Sequence, residues 1–163
     1  MPKKPPFIAG NWKMHMTRDE ARNLATAVVR AAAELAEVEI VVAPPFTVLS
    51  EVKKVLDDSS VQLAAQNLFW EEKGAFTGEV SAPMLKDAGC QYVIIGHSER
   101  RQFFGETDAT ANRKIKAALK AGLLPIVCIG ETLAERERGE TIEVISRQIQ
   151  AGLEGIAEAD FKS

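Results

Sequence analysis

Short runs dense in apolar and β-branched residues recur along the chain, at Phe7–Trp12, Glu39–Pro44, Val61–Gln66, Tyr92–Gly96 and Leu124–Ile129. Their starts lie 32, 22, 31 and 32 residues apart, room for a strand, a helix and two connections in each step. Ile40-Val-Val-Ala43 and Tyr92-Val-Ile-Ile95 lack polar alternation, the pattern of strands covered on both faces of a parallel sheet. Between the runs the apolar period lengthens to that of a helix. Leu24, Val28, Ala31 and Leu35 form one stripe, Val48, Leu49, Val52, Val55 and Leu56 a second, and Ile142, Ile145, Ile149, Leu153 and Ile156 a third. Ser81 with Pro83 has the form of an N-cap and first-turn proline, and Gly89 and Gly122 stand where left-handed glycines end helices. Strand and helix in fivefold alternation predict an α/β fold of right-handed βα units with parallel strands. An open doubly wound sheet and part of a closed barrel both satisfy this pattern, and both place ligands at the carboxyl ends of the strands.

Composition narrows the function classes. Of 163 residues 46% are hydrophobic and 26% charged, which excludes a disordered or low-complexity chain. A net charge of -3 with scattered basic doublets gives no nucleic-acid footprint. Two cysteines are too few for a disulfide framework, and Cys128, inside Leu123-Leu-Pro-Ile-Val-Cys-Ile129, reads as a small buried hydrophobe. No Cys/His spacing suits zinc, so no metal is expected. The start Met-Pro-Lys-Lys-Pro-Pro lacks the apolar stretch of a signal peptide, and no apolar run approaches the roughly 18 residues that span a membrane. A cytoplasmic protein without a membrane partner is expected. The first predicted strand runs into Asn11-Trp12-Lys13, not a GxGxxG turn, and no GxxxxGK[ST] occurs, so neither nucleotide cradle is present in the sequence.

Candidate chemistry falls at the strand ends: Asn11 and Lys13 after the first, Gln66 and Asn67 after the third, His97 and Glu99 after the fourth, Glu131 after the fifth. Asn11 and Lys13 share one side of an extended chain, and a lysine there would hold an anionic substrate as a point charge; the competing reading is a surface lysine. His97 precedes a helix start capped by Ser98, where amide groups keep an imidazole neutral and able to donate to a carbonyl oxygen; the alternative is a cap without chemistry. Glu99 either pairs with Lys13 across the mouth or is an ordinary surface carboxylate, and for it as for Glu131 the plain structural reading is favoured. Glu131 is a carboxylate base or an acid opening the last helix. His15, after Met14, is assigned no role, and Glu135-Arg-Glu-Arg138 reads as a solvated helix face. The connection Gln66–Glu79 carries Phe69, Trp70 and Phe76 among glycines, and reads either as packed on its own domain or, the favoured option, as a plug for a partner.

Ala9-Gly-Asn-Trp-Lys-Met14, Gln66-Asn67, Gly74-Ala-Phe-Thr-Gly-Glu79, Val93-Ile-Ile-Gly-His-Ser-Glu-Arg-Arg101 and Pro125-Ile-Val-Cys-Ile-Gly-Glu131 together resemble the triosephosphate isomerase family, nearly end to end. The resemblance implies a (βα)8 TIM barrel and interconversion of dihydroxyacetone phosphate and glyceraldehyde 3-phosphate through an enediolate, without cofactor. It implies that Asn11 and Lys13 contact substrate and that His97 is the neutral electrophile, the case by which such a histidine is usually illustrated. Glu99, Ser98, Glu131 and Cys128 become supporting residues. Thr77, Phe76, Trp70, Glu79 and Arg100 become subunit-interface residues of a homo-oligomer, Thr77 entering the neighbour's site.

The family's catalytic glutamate follows a sixth strand, ahead of a closing lid and glycine-rich phosphate loops. Residues 1–163 would thus be the N-terminal (βα)1–5 part of a barrel that needs about 250 residues, with strands 6–8 absent. Little isomerase activity is expected from this polypeptide alone. Unpaired strand edges are expected to drive self-association through themselves or through the 66–79 loop. The alternative function is a non-enzymatic partial-barrel folding module or self-assembling fragment.

Overall fold

The structure, a computed structural model, describes residues 5–35 and 37–161. The amino-terminal Met-Pro-Lys-Lys, read above for a targeting signal, lies outside them. The elements follow the repeat: β1 Phe7–Asn11, α1 Arg18–Ala32, β2 Glu39–Ala43, α2 Leu49–Leu56, β3 Gln62–Ala65, α3 Ala82–Asp87, β4 Tyr92–Ile95, α4 Ser98–Phe103, α5 Asp108–Lys120, β5 Leu124–Val127, α6 Leu133–Glu137 and α7 Thr141–Gly152. Short 3-10 turns occupy Phe46–Val48 and Glu158–Phe161.

All described strands are parallel and lie in sequential order, β1-β2-β3-β4-β5. This decides between the two architectures. A doubly wound sheet reverses its strand order and carries helices on both faces. Here one strand face, with Val42, Leu63, Ala65, Val93 and Ile95, packs on helix residues such as Ala21, Ala25, Val52, Leu85 and Ile115. The other face, Val41, Ala43, Ala64 and Ile94, forms a separate small cluster with Tyr92, Ile126 and Cys128, all from strands or their ends. Helices outside and strand side chains inside is the layering of a βα barrel, here five units of it. Burying each large side chain of the outer layer, Leu63, Leu85, Ile95 or Ile115, contributes about 1.5–3 kcal/mol.

Helix boundaries follow local chemistry. Glu20 reaches back from the first turn of α1 to the Thr17 amide at 2.7 Å. Thr132 and Glu135 close a reciprocal capping box on α6, so Glu135 has a local task beyond a solvated face. Ser81 occupies the N-cap position of α3 without a capping hydrogen bond from its hydroxyl, Pro83 stands in the first turn, and Gly89 and Gly122 follow the C-caps of α3 and α5 with φ of +87° and +71°. Two helix stripes differ from the expected ones. On α1 the buried face is Ala21, Ala25 and Ala32, with Leu24 and Val28 at its border and Ala31 and Leu35 exposed. On α7 the buried face is Val144, Gln148 and Gly152, leaving Ile142 and Ile149 exposed. Among the described residues no helix is long and apolar enough to cross a membrane.

The two sheet edges differ from the middle. β2 and β4 are mostly buried, whereas β1 is exposed along its length, with Phe7 and Ile8 open to solvent. Along β5 lies an apolar cavity of about 720 Å³ lined by Phe7, Tyr92, Leu124, Ile126, Ile149 and Leu153. Tyr92 hydrogen-bonds Glu39 within it, and burial, with that carboxylate beside it, pushes the phenol up to about 12.

Candidate active site

The carboxyl end of β1 sets the first part of the site. Trp12 is buried and donates its backbone N–H to the Ala43 carbonyl at 3.0 Å, holding the exit from β1 against β2. The next residue, Lys13, has φ +52°, a left-handed conformation uncommon for a side-chain-bearing residue and unfavourable by about 1–2 kcal/mol. Two side chains hold it there. Asn11 Oδ1 accepts the Lys13 N–H at 3.0 Å, and Gln66 Nε2 donates to the Lys13 carbonyl at 2.9 Å and to the Ala43 carbonyl at 2.8 Å. Strain kept in place by dedicated side chains points to a functional position.

Lys13 Nζ lies 2.7 Å from Glu99 Oε1, and Glu99 Oε2 lies 3.5 Å from His97 Nδ1. The Lys13 hydrogen bond, reinforced by the Lys13 charge, holds the Glu99 carboxyl below the usual carboxylate range. Lys13 and Glu99 are about half exposed, so an arriving anion can compete for the ammonium. His97, not Ser98, is the N-cap of α4: its Nδ1 accepts the Glu99 backbone N–H at 3.3 Å, and Ser98 becomes the first helical residue. With Nδ1 used as acceptor, the neutral ring carries its proton on Nε2 and presents one N–H donor. Asn11, Lys13, Gln66, His97 and Glu99 are therefore linked through direct contacts: a cation paired with the Glu99 carboxylate, and a donor imidazole held by the backbone N–H of the same glutamate.

The remaining expected residues are placed differently. Asn67 is buried and its Oδ1 accepts from Lys114 Nζ at 2.7 Å, away from the strand-end cluster. Glu131 accepts from Thr141 Oγ1 at 3.4 Å and lies 3.7 Å from Arg136, both on the helices that follow it. Cys128 is half-buried, and burial raises its thiol above the ordinary range. In the connection after β3, Phe69 forms a bridge to Ser81 and stacks on Trp70 and Phe76 with ring centroids 4.1 and 4.6 Å away. Arg113 sits 5.5 Å above Trp70, and Lys120 pairs with Glu72 at 2.8 Å. The base of this loop packs on its own domain, while residues 71–79, including Phe76, Thr77 and Glu79, are exposed. Arg100 turns toward Glu106 at 3.0 Å and lies over Phe104.

Sequence reasoning passed over a buried polar group beneath the cluster. Glu106, whose side chain is 1% exposed, accepts from the Gly96 N–H at 2.7 Å, from Arg100 Nε at 3.0 Å and from Lys114 Nζ. Burial raises the Glu106 carboxyl, but Lys114, Arg100 and the Gly96 amide outweigh it and hold it below the ordinary carboxylate range. A signal was available for Lys114: it shares one helix face with Ala111, Ile115 and Ala118, where a charge needs a buried partner. Among the described residues no cluster of His, Cys, Asp or Glu side chains has the makings of a metal site.

A sequential parallel βα sheet, helices on its outer face and a polar cluster at the carboxyl ends of its strands, defines a protein of the βα-barrel class. The family model described as Triosephosphate isomerase matches residues 6–163. Triosephosphate isomerase of Moorella thermoacetica is 60% identical over 151 residues, covering 93% of this chain and 60% of the relative. That of Geobacter metallireducens is 57% identical over 158 residues, covering 97% and 63%. The crystal structure of triosephosphate isomerase from Bartonella henselae superimposes with a TM-score of 0.87 at 40% identity, over 96% of this chain and 65% of that one. The chain belongs to the triosephosphate isomerase family, and it spans about 60% of the length of the first of these relatives.

Proposed function

We propose that these residues serve the interconversion of dihydroxyacetone phosphate and glyceraldehyde 3-phosphate, and the carrying observation is the Lys13–Glu99–His97 cluster in a chain of this family. Lys13 holds the anionic substrate and, with Asn11, fixes the carbonyl carbon against His97. A carboxylate base removes a proton from C1, the C–H electron pair forms the C1=C2 bond, and the carbonyl oxygen takes up charge facing the His97 Nε2–H. The O1 proton passes to the C2 oxygen and the base returns its proton to C2, which leaves the carbonyl at C1 and completes the shift. One carbon is oxidised as its neighbour is reduced, so the step needs no external redox cofactor. A cytoplasmic, metal-independent enzyme of sugar breakdown and synthesis suits this chemistry.

The base is the part that this cluster does not supply. Glu99 is engaged by Lys13, and Glu131 by Arg136 and Thr141. We therefore expect a polypeptide of these 163 residues to show little turnover. Joined to the remaining carboxyl-terminal part of the Moorella relative it should isomerise triose phosphates, and His97→Gln should lower kcat by about 10²–10³-fold. A coupled assay on both proteins is the check: normal turnover by residues 1–163 alone overturns the division of labour, and an active fusion indifferent to His97→Gln overturns the role of His97.

A second reading, a partial-barrel folding module that self-assembles, is favoured by the exposed β1 edge with Phe7 and Ile8 and by the exposed aromatic loop. Light scattering on residues 1–163 should then give a mass above that of one chain, rising with concentration. A single-chain mass at high concentration removes this reading and the homo-oligomer alike.

A further inference from the structure

Gly96 joins β4 to His97, and side chains hold both of its backbone polar groups. Its N–H donates to Glu106 Oε1 at 2.7 Å, and its carbonyl accepts from Arg101 Nε at 2.8 Å. Gly96 is buried with φ +76°, and a Cβ on it would lie 2.9 Å from the Cys128 carbonyl oxygen and 3.0 Å from Arg101 Nη2. The turn before His97 is thus closed in by the end of β5 and by the guanidinium. Each grip is itself braced. Arg101 pairs with Asp108 at 2.5 Å, and Glu106 is held from its other oxygen by Arg100 and Lys114, with Lys114 anchored on Asn67.

A buried ion pair is weak evidence of stabilisation, because apolar residues of similar volume often do as well. A carboxylate does what an apolar residue does not: one oxygen holds a backbone N–H while the other answers two cations. Fixing Gly96 from both sides fixes the chain direction into His97, and the ring then has its Nδ1 committed to the Glu99 amide. We infer that Glu106 and Arg101 are positioning residues, gripping the N–H and carbonyl of Gly96 so that the His97 ring stays in the Nε2–H tautomer. The inference rests on the reading of His97 as the donor to the substrate carbonyl, but its test reads the ring itself and requires no turnover.

The chain has two histidines, so ¹⁵N-histidine labelling gives two imidazoles, assigned by His15→Gln, with exposed His15 as internal reference. At neutral pH, long-range ¹H–¹⁵N correlations should show His97 as one tautomer with well-separated ring-nitrogen signals. The double variant Glu106→Gln/Lys114→Met removes the ion pair but keeps an oxygen for the Gly96 N–H, and should retain that pattern. Glu106→Leu/Lys114→Met loses the same ion pair and the acceptor, and should move the two His97 signals toward a common average while His15 stays put. Arg101→Met, at a partly exposed position, should do the same by freeing the Gly96 carbonyl. A folded Leu/Met variant with the native His97 pattern overturns the inference. Should that variant fail to fold, an unchanged His97 pattern in Arg101→Met overturns it instead. Activity of the fused barrel is a separate measurement, so failure here leaves the isomerase reading standing.

Discussion

Gly96→Ala should lower the unfolding free energy of residues 1–163 by about 2–5 kcal/mol, one of the largest effects expected of a single methyl group in this chain. Two contributions add. At φ +76° an L-residue gives up about 1–2 kcal/mol in the backbone alone. The new methyl then meets the Cys128 carbonyl oxygen at 2.9 Å, a backbone atom of a residue whose own N–H is bound to the Ile95 carbonyl at 2.8 Å, so relief requires moving the chain at the end of β5. Forcing an added carbon into a filled space typically takes a further 1–3 kcal/mol. Gly122 separates the two: its φ is +71°, nearly the same, but a Cβ there meets nothing within 4 Å. Gly122→Ala therefore carries the backbone contribution alone. Urea unfolding of both variants is the measurement, and equal midpoint shifts would show that the Gly96 turn is not closely packed.

The contrast between these glycines shows how much of the fold was legible in sequence. The five strands and the helices between them follow from hydrophobic period and glycine placement, because both record local geometry. Gly89 and Gly122 are readable since a helix end needs a left-handed residue whatever lies beyond it. Gly96 has no room for a side chain because Cys128, just past the end of β5, closes on it, and no local pattern records that. The choice between open sheet and barrel was likewise closed only by sequential pairing and by helices confined to one face.

The site was legible to a similar depth. Asn11, Lys13, His97 and Glu99 stand out as polar residues that end apolar strands, and Lys13, Glu99 and His97 meet in space. What sequence misjudged were the polar residues whose partners lie far along the chain. Asn67 looked like part of the strand-end cluster and instead serves a buried lysine. Lys114 was overlooked in Arg113-Lys-Ile-Lys116 although it shares a helix face with Ala111, Ile115 and Ala118, and Gln148 was overlooked beside an isoleucine stripe although it clamps both backbone groups of Gly130. The cap was misassigned by one residue because serine is the commoner cap, and only the ring geometry reveals that His97 takes its place.

Lys114→Met should be the most destabilising substitution of a charged side chain, at about 3–5 kcal/mol, since it leaves the Glu106 carboxylate buried without its main counter-charge. Arg100 keeps its contact at 3.0 Å but is partly exposed and solvated, and does not replace a buried ammonium. Adding Glu106→Gln to Lys114→Met removes the orphaned charge and should recover most of the loss, so the two substitutions together cost much less than the lysine change alone. Acid adds an independent signature. Because the folded Glu106 carboxyl lies below its ordinary value, its contribution is present above the unfolded value of about 4.3 and disappears as pH falls through the folded one. In the single variant burial is no longer outweighed and pushes the Glu106 carboxyl up, so its protonation begins to relieve the orphaned charge already above about 4.3. The stability gap between wild type and Lys114→Met should therefore start to narrow above about 4.3 and go on narrowing below it as the wild type loses its own contribution, whereas the pH dependence of the double variant should lack the Glu106 component. Urea titrations of the three proteins from pH 7 downward test both claims. A gap that stays constant with pH would mean that Lys114 acts through its packed methylenes and not through its charge.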